Sequence, residues 1–248
     1  MLRAILCLAL AAGLIAAQTY EVASVKPAHD TAADPNLDSR PGGTVFATNI
    51  TAGYLIRLAY GVQDYQIDRA PGWMDSAHFD ITAKGAPASP NASKGAALEN
   101  EKAHIRALLA DRFRFASHRE TRQMRIYVLT IDKNGAKLKE HTDATGARSR
   151  SSCGHLAGTR LTADVLATML SRQLETDVVN RTDLAGKYDF QLDWTPDSGP
   201  CPASADGASP SASSIFTALR EQLGLRLESA KGPVEMLVID HIERPSEN

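Results

Sequence analysis

The chain repeats itself, and that repeat narrows the possible folds more than any other feature. "ITAGYLIRLA" from Ile50 and "LTADVLATML" from Leu161 carry the same apolar spacing behind Thr51 and Thr162. Threonine ahead of an apolar-periodic run is a good helix N-cap, because its hydroxyl oxygen accepts a backbone N–H that the first turn leaves unpaired. Leu55, Leu58 and Val62 in the first stretch, and Val165, Leu166, Met169 and Leu170 in the second, fall on one face of a 3.6-residue period. Both stretches are expected to be short amphipathic helices.

The match continues at the same offset. "DYQI" ending at Ile67 corresponds to "ETDV" ending at Val178, and "HFDITAK" to "KYDFQLDW". Phe79-Asp80-Ile81 and Tyr188-Asp189-Phe190 place alternate side chains on opposite sheet faces, so Asp80 and Asp189 should point to water. "ENEKAHIRALLADRF" and "SSIFTALREQLG" return to helical spacing through Ile105, Leu108 and Leu109, and through Ile215, Phe216, Leu219 and Leu223. Ser214 caps the start of the latter and Gly224 its end. "RFRF" and "LRL" alternate, and "IYVLTID" and "EMLVID" are rich in strand formers. Each half opens on further strands, "YEVASVKP" with "GTVFATNI" in the first and "GHLAGTRL" in the second.

These elements predict an α+β fold of two related modules, each with two short helices packed on a small, mostly antiparallel sheet. The first module spans residues 18–140. The second spans 141–248 and is able to pack with the first as one unit. Small, polar, Pro- or Gly-bearing stretches around Pro87 to Ala97, Thr142 to Ser152 and Pro196 to Ser213 read as long loops or linkers.

"VVNRTDLAGKYDFQLDWTP", Val178 to Pro196, gathers Arg, Thr, Asp, Lys and Tyr and resembles a catalytic cluster. The repeat, however, needs a connection between two strands there, and Asn, Asp and Gly are turn residues. Asn180, Thr182 and Asp183 can bond nearby backbone, and Gly186 can take a positive φ. The stretch is read as a turn.

The N-terminus predicts the chain's destination. One Arg, an apolar run from Ala4 to Ile15 and two small residues before Gln18 make residues 1–17 a secretory signal peptide, cut after Ala17. That run is too short to span about 30 Å of hydrocarbon, so no membrane span is expected after cleavage and the mature chain should be periplasmic or extracellular. Cleavage removes one charge, Arg3, from 27 basic against 29 acidic residues. So even a balance gives no argument for nucleic acid as a partner. Cys153 and Cys201 are the cysteines left, and an oxidising compartment favours a disulfide between them.

Sequence motifs for catalysis are missing. There is no G-x-S-x-G, S-x-x-K, H-E-x-x-H, C-x-x-C, G-x-x-x-x-G-K or G-x-G-x-x-G, which sets aside the common serine hydrolases, zinc proteases, thiol oxidoreductases and nucleotide-binding folds as first readings. His29, His78, His104, His118, His141, His155 and His241 are dispersed without ligand spacing, so no metal and no cofactor is expected. One charged cluster stands out: Arg112, Arg114, Arg119, Arg122 and Arg125. With Phe113 and Phe115 on the buried face of a strand, Arg112 and Arg114 share the exposed face, and Arg119 and Arg122 lie in or beside the next turn. Guanidinium groups bind carboxylates and phosphates bidentately, so the cluster is a candidate docking surface, against the alternative of a solvated sheet face paired with neighbouring acids. Exposed strand edges are a second candidate surface for a partner strand.

With these residues in place, the chain resembles a family of exported, soil-associated proteins of unknown function expanded in Acidobacteria. The resemblance rests on "YEVASVKP", "RLAYGVQDYQI" followed by "PGWMDSAHFDITAK", "LLADRFRFASHRETR", "VVNRTDLAGKYDFQLDWTP" and "FTALREQLGLRLESAKGPVEMLVIDHIERPSEN", in that order. It implies no catalytic residues. Some members join such a region to a membrane sensor peptidase of the BlaR type, which implies a sensing or ligand-binding role; this chain carries no peptidase. The repeated helix and strand pattern is similar at the level of fold to the small envelope domains at the front of secretins and TonB-dependent receptors. The expected function is a non-enzymatic binding or interaction module for an envelope protein or a cell-wall ligand. The alternative is an extracytoplasmic hydrolase of unrecognised type, using scattered groups such as His118, Glu120, Asp183 and Asp189.

Overall fold

The computed structural model describes residues 22–40, 44–84, 93–143, 146–196 and 213–246. The predicted signal peptide, residues 1–17, and Cys201 lie outside the described residues, as does most of the linker from Pro196 to Ser213. In chain order the elements are β1 (Val22–Pro27), β2 (Asn36–Arg40), β3 (Thr44–Thr51), α1 (Ala52–Tyr60), β4 (Ile67–Asp68), α2 (Trp73–Ser76), β5 (His78–Lys84), α3 (Lys94–Arg112) and β6 (Ala116–Ile131). The chain continues with β7 (Lys139–Glu140), β8 (Arg148–Ser152), β9 (His155–Leu161), α4 (Ala163–Leu174), β10 (Val178–Asn180), β11 (Tyr188–Asp193), α5 (Ile215–Ala218) and β12 (Leu225–His241). A 3-10 turn, Asp64–Gln66, precedes β4, and α5 runs on into a π-helical turn, Leu219–Leu223. Helices and antiparallel-rich sheets together make the fold α+β.

The described chain divides into two compact units. One takes the residues up to Val62, Arg69–His118 and those from Ile239 on; the other takes Gln63–Asp68 and Arg119–Val238.

In unit 1 the sheet order is β1-β5-β3-β2, all pairs antiparallel. Thr51 caps α1 by accepting the Tyr54 N–H at 3.1 Å, and Gly61 ends it in the left-handed region with φ 66°. The buried stripe of α1 is Ala52, Leu55, Ile56 and Ala59, an i, i+3, i+4, i+7 series. Leu58, placed on that face from spacing alone, is half-buried, because the small alanines rather than the bulkiest residues define the stripe. α3 starts at Lys94, earlier than the linker reading allowed, because Ser93 accepts the Ala96 N–H and two alanines follow. Ile105, Leu108 and Leu109 are buried on it as expected, and Phe79 meets Phe113 edge-on with ring centroids 5.5 Å apart. Each such fully buried side chain contributes about 1.5–3 kcal/mol relative to exposure.

"RFRF" is not a strand. Phe113 is the C-cap of α3 and Arg114 has φ 50°, so the chain turns there and β6 begins at Ala116. β6 then continues to Ile131, which puts Arg119 and Arg122 in a strand, not in the expected turn. The polar run had suggested a break, but one face of this strand is largely exposed and tolerates it.

Unit 2 holds a sheet of order β7-β11-β9-β8, and the order β10-β6-β12-β4 describes the other sheet, in which β10 and β4 pair in parallel with β6 and β12. Thr162 caps α4 and its buried stripe is Ala163, Leu166, Ala167 and Leu170, the same i, i+3, i+4, i+7 series as in α1. Val165, expected to be buried, is exposed, because it falls off that stripe. Leu156, Leu192, Trp194, Ile215, Leu219, Leu223 and Leu225 share the core with α4. A smaller cluster gathers Ile126, Val234, Met236 and Val238. β8, within a stretch read as a loop, pairs with β9, although all five of its side chains are exposed.

Each unit contains one bulge of the same make. Pairing of β3 with β5 slips between Ala47 and Ile50, where Asn49 has φ 53° and donates its N–H to Asp80 Oδ1 at 3.0 Å. Pairing of β9 with β11 slips between Tyr188 and Phe190, where Arg160 has φ 56° and donates its N–H to Asp189 Oδ1 at 2.9 Å. Asp80 and Asp189, expected to face water, are therefore committed to the bulged backbone, whose freed N–H needs an acceptor.

The 181–187 connection is a turn between β10 and β11. Asn180 Oδ1 accepts from the Thr182 N–H and hydroxyl, and the left-handed residue is Asp183 at φ 56° rather than Gly186. Gly186 serves close approach instead: a Cβ there would lie 2.8 Å from the Tyr188 hydroxyl.

Candidate functional site

Unit 1 contains a cavity of about 370 Å3 built by three separate stretches of chain. Val25, Pro27, Ala28 and Thr31 come from β1 and the turn after it, Ala77, His78 and Phe79 from the start of β5, and Arg244 and Pro245 from the segment after β12. Backbone pairing fixes the walls. Pro27 lies opposite Phe79 in the β1–β5 register, and the Ala28 N–H donates to the His78 carbonyl at 2.9 Å.

Asn49 holds the turn that closes one side. It is 3% exposed, and its side-chain amide donates to the carbonyls of Thr31, at 3.3 Å, and Ala33. The His29 N–H donates to Asp80 Oδ2 at 3.2 Å, so the two residues of the bulge also tie down the loop. His78 donates Nδ1–H to the Asn49 carbonyl at 3.3 Å, leaving Nε2 as its remaining polar atom. The Arg244 guanidinium lies over the Trp73 ring, 5.7 Å from its centroid. Among the described residues no carboxylate pairs with Arg244.

The arginines singled out from sequence are mostly engaged within their own units. In unit 1, Arg112 Nε lies 3.0 Å from Asp111, close enough for an ion pair but outside hydrogen-bond geometry, and Arg114 is exposed. In unit 2, Arg119 pairs with Glu235, and Arg122 reaches Asp68 at 2.7 Å and Glu120 at 2.9 Å. The bond to Glu120, with that to Asp68 beside it, raises the Arg122 pKa further. Arg125 donates to Ser229 at 3.2 Å and lies over the Tyr127 ring, 5.5 Å from its centroid. Such exposed pairs contribute little to stability, because water and salt screen them.

Of the scattered groups of the hydrolase reading, all but Asp183 have partners of their own. His118 Nδ1 meets both oxygens of Asp240 at 2.8 and 3.0 Å, Glu120 pairs with Arg122, Asp183 is an exposed turn residue, and Asp189 pairs with His141. No group of three or more His, Cys, Asp or Glu able to hold a metal occurs among the described residues. No helix among them is long and apolar enough to cross a membrane. Cys153, in the β8–β9 turn, is disulfide-bonded.

His141 is a feature that spacing did not reveal. Its side chain is 6% exposed, with Nδ1 2.8 Å from Asp189 and Nε2 2.6 Å from Asp143. Ionised carboxylates only accept, so both ring nitrogens must carry protons. The bond to Asp189 is the main cause of a raised His141 pKa, and the same bond, with the Arg160 N–H, lowers that of Asp189. A raised histidine pKa gives stability that is full below the unfolded value of about 6.5 and is lost as pH rises through the folded value. Asp189 contributes in the opposite sense, above the unfolded carboxyl value and lost as pH falls through the lowered one. Urea midpoints of the wild type should therefore fall as pH is raised above the unfolded histidine value of about 6.5, and His141→Gln should flatten that fall. Parallel pH profiles for the two proteins would show that the clasp does not act in solution.

Compared with known proteins, the chain has no match among curated proteins and none among solved structures. A family profile described as a protein of unknown function, DUF3738, matches residues 53–242, from the α1 helix to the end of β12 and the residue after it. That span takes in the bulge at Arg160, the α4 stripe, the α1 stripe from Leu55 on and the two long strands, and the chain therefore belongs to the DUF3738 family of proteins of unknown function.

Proposed function

We propose that this protein is an exported, non-enzymatic binding module built from two related α+β modules. The unit 1 cavity carries the reading. Its volume falls in the range of roughly 300–1,000 Å3 typical of small-molecule sites, and its walls are largely apolar with a few polar groups, the usual composition of such sites. Support for related modules comes from the paired threonine caps, the matching stripes of α1 and α4 and the two bulges held by Asp80 and Asp189. Export rests on the apolar run before Gln18 and on the disulfide at Cys153, a bond favoured in oxidising compartments. We pair Cys153 with Cys201 on the same ground, and place the protein in the envelope or outside the cell.

The test uses the mature chain, residues 18–248, incubated with a small-molecule extract of the native envelope and re-isolated. Native mass spectrometry should return a bound compound unchanged in mass, and Ala28→Trp, which fills the cavity, should lose it. A compound released with altered mass would favour a hydrolase. A chain that returns empty, or an Ala28→Trp variant that binds as before, would remove the cavity as the basis of function.

A further inference from the structure

We infer that the unit 1 cavity is a site for a small apolar carboxylate, with Arg244 as the group that takes the carboxylate. This rests on the reading of the chain as a binding module and names the chemistry of what it binds. The lining is asymmetric: Val25, Pro27, Ala28, Ala77, Phe79 and Pro245 form apolar walls, whereas Thr31, His78 and Arg244 supply the polar groups. Among the described lining residues Arg244 alone carries a permanent charge, and none is an acid. Arg244 is exposed at this otherwise apolar lining, so its guanidinium is open to the carboxylate of a ligand.

The placement of Arg244 suits that task. The cation–π contact with Trp73 holds the guanidinium beside the cavity, and a guanidinium carries the paired N–H donors that make the bidentate carboxylate fork. His78 cannot compete for the same atoms, since its Nδ1–H is already given to Asn49. The Thr31 hydroxyl can add a further donor, held in position because Asn49 bonds the Thr31 carbonyl. Buried Val25 and Phe79, 1% and 6% exposed, give the wall a fixed shape backed by the core, so the apolar body of a ligand meets a preformed surface. Phosphate matches this site less well. It brings more acceptor oxygens than one guanidinium and one hydroxyl can satisfy, and it has no apolar part for the walls.

The experiment is isothermal titration of mature residues 18–248 with three probes: octanoate, octanamide and inorganic phosphate. Wild type should bind octanoate about tenfold or more tighter than octanamide, since only the acid gains the charge-assisted pair. Phosphate should give no heat of binding. Arg244→Gln should bind the two organic probes alike, while Arg244→Lys, which keeps the charge without the fork, should fall between. Thermal unfolding of both variants at the wild-type midpoint establishes that they are folded, as expected for an exposed side chain. Equal binding of octanoate and octanamide by wild type, or a preference that survives Arg244→Gln, overturns the carboxylate assignment but leaves the cavity a binding site. Binding of phosphate alone, or of none of the three, overturns it as well, and in the last case the extract experiment decides the binding reading independently.

Discussion

Gly224→Ala should cost about 3–4 kcal/mol of stability and abolish the native urea transition at its present midpoint. Gly224 ends the π-helical turn at φ 63°, and a Cβ built there would lie 2.0 Å from the Gly135 carbonyl oxygen and 3.0 Å from the Lys137 N–H nitrogen. Both obstacles are backbone, so no side-chain rotation relieves them. The 132–137 turn would have to move away. With it would go the bonds from the Asp132 N–H to the Gly224 carbonyl, at 2.9 Å, and from the Lys137 N–H to the Leu223 carbonyl, at 2.8 Å. Gly61→Ala provides the control within the same protein. Its φ is 66° and nothing lies within 4 Å of the added Cβ, so it bears only the left-handed backbone cost of about 1 kcal/mol. Similar midpoint shifts for the two variants would show that the close approach of the 132–137 turn contributes nothing.

Phe113→Ala should lower stability by about 3–5 kcal/mol, the range for emptying a large aromatic site in a core. Phe113 is fully buried, packs edge-on against Phe79, and anchors the end of α3, where its N–H donates to the Leu109 carbonyl at 3.1 Å. Its own carbonyl accepts from the Glu243 N–H at 2.7 Å, so the residue also tethers the segment that carries Arg244. A typical domain has about 5–15 kcal/mol to lose, so the variant should be near its limit at 37 °C. Phe113→Leu, which keeps most of the volume, should cost less than about 1.5 kcal/mol. The two variants are compared by urea denaturation, and equal midpoints for them would contradict the packing account.

Local chemistry was legible and assembled chemistry was not. Thr51, Thr162, Ser214 and Gly224 could be assigned as caps because each acts on backbone within a few residues of itself. The alanine-bearing stripes were half-read, since Ala52 and Ala163 give weaker apolar signals than Leu58 or Val165, yet their size lets a helix sit close to its neighbours. β8 left no trace, because Arg148 to Ser152 alternate nothing apolar, and what makes them a strand is backbone pairing with β9. β6 was cut short for the same reason at Arg119 and Arg122, whose partners Glu235 and Asp68 are remote in sequence. The cavity was invisible: Val25, His78 and Arg244 form no motif, and only register and a C-terminal crossing bring them to one place. His141 was set aside as dispersed, as its two carboxylates, Asp143 and Asp189, include one far along the chain.

The bulges at Asn49 and Arg160 have a consequence for heredity. In β3 the side chains of Val45 and Ala47 face inward on one parity, and Ile50 faces inward on the other; in β9, Leu156 and Gly158 stand against Leu161 in the same way. The extra residue resets the phase of an alternating strand just before it delivers a threonine cap. Asn and Arg both serve in that position, so as far as the bulge goes the letter written there is free to drift within what the left-handed backbone tolerates, the Asn49 side chain being fixed instead by its bonds to the Thr31 and Ala33 carbonyls. The number of letters is not. Deleting Asn49 or Arg160 shifts every inward residue upstream to the wrong face, so mutation by miscounting is far more dangerous here than mutation by misspelling.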